Sequence, residues 1–124
     1  MNKIRITAGH VSVEAELNDK PTARMIWDAL PIEGAANTWG DEIYFGIPVK
    51  TDEEPDAQEI VEVGTLGYWP VGHAFCIFFG RTPVSRDERP RAYSPVNLLG
   101  KVLGDATEFK GVTGGTKVLL ERVD

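Results

Sequence analysis

One cysteine, two histidines and no long apolar run set the first limits on this chain of 124 residues. The lone cysteine, Cys76, rules out an internal disulfide, and its apolar neighbours point to a buried thiol in a reducing compartment rather than to a nucleophile. His10 and His73 are far apart in sequence, and a zinc site at either would need several further ligands from elsewhere in the chain, so no metal site is expected. No cofactor is implied either. Basic residues are outnumbered, 13 Lys and Arg against 19 Asp and Glu, and the net charge of −6 opposes binding to phosphate backbones or anionic lipid. Neither nucleic acid nor a membrane is an expected partner. No stretch approaches the ~18 consecutive apolar residues of a membrane span, and Met1 to Arg5 lacks an apolar signal core, which together lead to the expectation of a cytoplasmic protein. No serine stands in a nucleophile-elbow pattern. Gly111 to Lys117 has the wrong order for a phosphate loop, because Thr116 precedes Lys117 and a strand, not a helix, follows.

Glycine and proline, by contrast, are plentiful. The 13 Gly and 8 Pro exceed the roughly 12 per cent of an average chain and favour short strands and tight turns over long helices. Ile4 and Ile6, then Val11, Val13, Ala15 and Leu17, alternate with polar residues around Gly9-His10, the pattern of a hairpin with one buried face. A single convincing helix is expected over about residues 20–30. Asn18 or Asp19 would cap it, Pro21 sits in its first turn, Met25, Ile26, Ala29 and Leu30 recur at helical spacing, and Pro31 ends it.

Further strands are expected at 35–39 and 42–49, parted by the turn dipeptide Gly40-Asp41, and at 74–79, 97–103 and 116–123. Lys50 to Glu59, with five acidic residues around Pro55, is expected to be a solvated loop, and Arg81 to Ala92 a long surface loop. There is no internal repeat and no linker, so residues 1–124 form one domain. With strands at both ends, that domain is expected to close into a barrel.

Several of these pieces resemble the cyclophilins. Val11 to Ala23 is similar to their opening strand, which ends in Glu-Leu and leads through Asp and Pro-x-Thr-Ala into a helix. Ile47-Pro48 resembles their Ile-Pro, Gly72 to Ile77 stands where they have Gly-Ser-Gln-Phe-Phe-Ile, and Leu99-Gly100-Lys101-Val102 is similar to Phe-Gly-Lys-Val. Tyr68-Trp69-Pro70, Phe78 to Pro83 and the last strand resemble more closely a family of small prokaryotic cyclophilin-like proteins of unknown function. The resemblance covers nearly the whole chain and implies a mainly β fold, a closed barrel of about eight strands with one main helix.

The resemblance does not bring the family's chemistry with it. Cyclophilins use an arginine in Phe-His-Arg-Val-Ile-Pro for prolyl isomerisation, whereas Tyr44-Phe45-Gly46-Ile47-Pro48 contains none. Their glutamine falls at Ala74, the phenylalanine of their proline pocket at Cys76 and their histidine at about Val96. Losing a donor of this kind costs roughly 3–4 kcal/mol of transition-state stabilisation, so isomerase activity is not expected. If Phe75, Ile77 and Phe79 point to the core, Ala74, Cys76 and Phe78 point to the opposite face, and the small pair leaves a hollow there.

Tyr44, Tyr68, Trp69 and His73 are the candidate walls of that hollow, with Cys76 in its floor. Arg81 and Arg91, at the two ends of an arginine-rich loop, are candidates for holding a carboxylate or phosphate of a ligand. The expected occupant is a small molecule or a peptide. Two other readings stay open: a divergent prolyl isomerase with Arg81 or Arg91 as displaced donor, and a subunit of an oxoprolinase or amidohydrolase-type assembly.

Overall fold

The alternation of Ile4, Ile6 and Ala8 with Val13, Ala15 and Leu17 produces the hairpin expected of it. In the computed structural model, which describes residues 2–123, β1 (Asn2–Ala8) and β2 (Val11–Leu17) pair antiparallel, with Ile4 opposite Ala15 and Ile6 opposite Val13. Each such pair sends two apolar side chains to one face. Burying a whole Ile or Leu there contributes about 1.5–3 kcal/mol, and Ile4, Ile6, Ala15 and Leu17 are wholly buried.

Helix α1 (Pro21–Ala29) lies where its spacing placed it and buries Thr22, Ala23 and Ile26. Its start differs from expectation, because Lys20, not Asn18 or Asp19, is the cap residue and offers no side-chain bond. The free N–H of Thr22 is instead taken by the Glu54 carboxylate at 3.0 Å, which also accepts from the Thr22 hydroxyl. A carboxylate at a helix start satisfies an orphan donor and meets the positive end of the helix dipole. The cap thus comes from the acidic segment 50–59, which is not simply a solvated loop: Glu54 is bonded to Thr22, Asp56 pairs with Lys20 and Glu59 with Arg91.

The remaining strands are β3 (Ile32–Ala35), β4 (Asn37–Thr38), β5 (Glu42–Gly46), β6 (Gln58–Ile60), β7 (Thr65–Trp69), β8 (Ala74–Phe78), β9 (Arg91–Val102) and β10 (Lys117–Arg122), with a short 3-10 helix at Ala106–Gly111 before the last. They form one sheet of ten strands in the order β3-β10-β1-β2-β9-β7-β8-β5-β4, with β6 added to β9 outside this path.

This sheet is open, and the expectation of a closed barrel of about eight strands is corrected accordingly. The described order starts at β3 and stops at β4 with no ladder between those ends. The two end strands follow one another in the chain with only Ala36 between them, too short a connection for the chain to turn back and pair them as a ladder. Nearby, the Phe45 ring packs directly on Gly34, where a Cβ would stand 2.5 Å from it. The end strands are also short, four and two residues, which limits the exposed edge.

The sheet has two apolar faces. The larger core, including Ile4, Leu17, Phe45, Tyr68, Phe75, Ile77 and Leu120, fills its inner side. A smaller cluster of Val61, Cys76, Phe78, Ala92 and Val96 lies on the outer side, with Tyr44, Trp69 and Leu98 packed against it. Strand β8 separates them by alternation, Phe75 and Ile77 inward, Cys76 and Phe78 outward.

Candidate functional site

Strand β9 makes the outer cluster into a site. Its second half pairs with β2 and β7, while its first half pairs with β6, so Ala92, Tyr93 and Val96 stand over the outer face of β5 and β8. Beneath them Gly67 lies opposite Cys76 on one side and Leu98 on the other. A Cβ at Gly67 would come within 2.9 Å of Val96 Cγ2, and only a residue without one lets β9 sit this close.

The result is a cavity of about 170 Å3 lined by Trp39, Glu42, Tyr44, Trp69, Ala92, Tyr93 and Val96. An apolar cavity of ~150 Å3 is large enough for benzene, so this one suits a single ring or a branched group of that size. The Tyr93 ring packs nearly at right angles to both indoles, 6.1 Å from Trp39 at 71° and 6.1 Å from Trp69 at 83°. The Trp69 indole is held by its N–H, which donates to the Ser94 hydroxyl at 2.6 Å. Tyr93 is the outermost wall and 73 % exposed.

The floor carries the one acidic group of the cavity. Glu42 is 5 % exposed, and among the described residues no lysine, arginine or histidine pairs with it. Burial pushes its carboxyl up to about 7, and the Cys76 thiol beside it offsets part of that rise. The Cys76 thiol in turn is pushed well up, first by burial and then by the Glu42 charge, which makes it a poor nucleophile.

Of the residues singled out from sequence, Tyr44 and Trp69 line this cavity and Cys76 lies behind its floor. Tyr68 and His73 belong elsewhere. Tyr68 is neighbour to Trp69 on a strand, so it points to the opposite face; it is wholly buried and its hydroxyl donates to Val49 O at 2.7 Å. His73 Nδ1 is 3.2 Å from that same hydroxyl, at the end of the inner core. Burial holds the Tyr68 phenol above its ordinary range.

The two arginines do not reach the cavity either. Arg81 contacts Glu88 at 3.4 Å and Ser85 O at 3.4 Å, and Arg91 contacts Glu59 at 3.2 Å. Trp39, Glu42, Ala92, Tyr93 and Val96 were missed. For Glu42 a signal was present, since residues 42, 44 and 46 of one strand share a face. The others come from a loop end and from the half of β9 that Pro95 hid.

Val96 lines this cavity, and Cys76 packs with it in the outer cluster. The cyclophilin-like family matches residues 2–121. The chain belongs to the cyclophilin-like family. A solved relative, the solution structure of a hypothetical protein from Archaeoglobus fulgidus, is 41% identical with a TM-score of 0.83, covering 98% of this chain and 95% of that one. No curated protein matches the sequence. Within this cyclophilin-like chain no three His, Cys, Asp or Glu side chains converge on a metal-sized space among the described residues. Among the described residues no helix is long and apolar enough to cross a membrane.

Proposed function

We propose that this cyclophilin-like chain is a binding module whose outer-face cavity takes a compact apolar group of a small ligand or peptide, without prolyl isomerisation. The observation that carries this reading is the cavity of about 170 Å3 walled by Trp39, Tyr44, Trp69 and Tyr93. Apolar walls with few polar groups are the usual make-up of small-molecule sites. Isomerisation needs a donor held at the twisting amide, and both arginines near this region are engaged with glutamates, Arg81 with Glu88 and Arg91 with Glu59.

A thermal-shift screen of ring-sized compounds tests the reading. A ligand at 100 times its dissociation constant adds ~2.7 kcal/mol to the folded state. Trp69→Ala is expected to abolish the shift while the variant stays folded. A stabilisation that survives Trp69→Ala, or a ligand located away from Trp39, Trp69 and Tyr93, overturns it.

A further inference from the structure

Two features of the cavity are unusual together. Its walls are aromatic rings set nearly at right angles, Tyr93 at 71° to Trp39 and 83° to Trp69, and its floor holds a buried carboxyl that pairs with no cation among the described residues. A buried carboxylate without a partner is costly, and a positive ligand placed over it would supply the partner. Aromatic faces attract cations through their quadrupole, and weakly hydrated methylated ammonium groups are the cations that such cages hold. The chain's net charge of −6 draws cations toward it. We propose that the cavity is an aromatic cage for a methylated ammonium head, with Trp39, Trp69 and Tyr93 as walls and Glu42 as the counter-ion.

The proposal rests on the reading of the cavity as a binding site and adds the chemistry of its occupant. It also reverses the charge expected from sequence. The arginines that would have held an anionic ligand are turned away, and the charge inside the cavity is acidic. The volume of about 170 Å3 accepts a ring-sized object, and a tetrahedral ammonium with four methyl groups is of that order.

Ionisation of Glu42 should therefore govern affinity. The ionisable groups facing it are the Cys76 thiol from β8, the Tyr44 phenol from β5 and the Tyr93 phenol from β9. Cationic side chains of the adjoining segments contact other carboxylates, Arg91 with Glu59, Arg81 with Glu88, and Lys110 with Asp41 at 3.9 Å. With Glu42 raised to about 7, a cation should bind more tightly above neutral pH and release a proton from Glu42 below it.

The test is a titration of the folded chain with tetramethylammonium chloride and with tert-butanol, a neutral group of similar shape, at matched ionic strength and with indole fluorescence as readout. The expected result is at least tenfold tighter binding of tetramethylammonium at about pH 8.5, weakening at least threefold by about pH 5.5. Glu42→Gln should remove that pH dependence and most of the preference, and Tyr93→Leu, at an exposed position, should weaken the cation several-fold with little effect on the alcohol. Equal binding of both probes, abolished by Trp69→Ala, overturns the cation proposal and leaves the binding site standing. Cation binding that Glu42→Gln leaves unchanged, or no binding of tetramethylammonium at tens of millimolar, also overturns it.

Discussion

The Cys76 thiol sits against the Glu42 carboxyl, diagonally across the β5–β8 ladder and two residues off the direct pairing, in which Tyr44 is opposite Cys76 and Glu42 opposite Phe78. The contact has opposite effects on the two groups. The thiol stabilises the carboxylate slightly against the burial that pushes Glu42 up to about 7, while the carboxylate adds to the burial that pushes Cys76 up. A pair arranged this way favours its neutral forms when the cavity is empty.

Stability should therefore fall as pH rises. Between about 4.5 and about 7 the folded chain keeps a proton on Glu42 that the unfolded chain has lost, and the state that binds more protons is weakened as they become scarce. The contribution is whole below about 4.5 and lost on passing 7. A shift of this size corresponds to about 3 kcal/mol. Urea unfolding at about pH 5 and pH 8 should show the loss in the native sequence and a much flatter profile for Glu42→Gln. An equal slope in both would remove Glu42 as the source.

Cys76 should be inert in the folded chain. Its side chain is 1 % exposed, and its thiol is held protonated by burial and the neighbouring carboxyl, whereas the reactive form is the thiolate. A thiol-labelling time course is expected to be slow in native buffer and rapid in denaturant. Rapid stoichiometric labelling of the native chain would contradict this.

Asn97 should matter more to stability than a polar residue usually does. Wholly buried in β9, it donates to the Thr22 hydroxyl and Asp52 O, each at 3.0 Å, and accepts from the Glu54 N–H at 2.7 Å. Through these bonds one amide ties the sheet, α1 and the acidic segment together. Asn97→Ala should cost about 2–3 kcal/mol by leaving buried groups unpaired. Glu53, exposed in the same segment, should tolerate alanine within about 0.5 kcal/mol. Parallel denaturation curves decide between them.

Gly67→Ala should destabilise by about 1–3 kcal/mol through overpacking, since the new methyl would fall 2.9 Å from Val96 Cγ2 and 3.4 Å from the Phe78 ring. The same change should shrink the cavity, because Val96 is one of its walls. Denaturation measures the first effect. Ligand titration of the folded fraction measures the second.

Prolyl isomerisation of a tetrapeptide should proceed at its uncatalysed rate in the presence of the chain. The cavity-lining residues include no arginine, and the barrier of ~18–20 kcal/mol is lowered only by groups aimed at the twisting amide. A rate enhancement matching that of a cyclophilin at equal concentration would reverse this conclusion.

The sequence by itself determined the strands whose apolar residues alternate without interruption, the hairpin from Asn2 to Leu17 and β8 with its two faces, together with the single helix and the family. Those features follow from local periodicity and from turn residues, which act over a few positions. Strand β7 and the first half of β9 escaped because Tyr68-Trp69-Pro70 and Ser94-Pro95 interrupt any period. The expectation that Tyr68 and Trp69 wall one hollow fails because neighbours on a strand face opposite ways.

Only the tertiary structure decided that the sheet stays open, because its end strands β3 and β4 are successive pieces of one segment parted at Ala36 and have no ladder between them. It alone decided that Arg81 and Arg91 turn to glutamates, and that Glu42 meets Trp39, Trp69 and Tyr93 in one cavity. Those residues are spread over more than fifty positions of sequence. What brings them together is strand pairing and register, which no local pattern encodes.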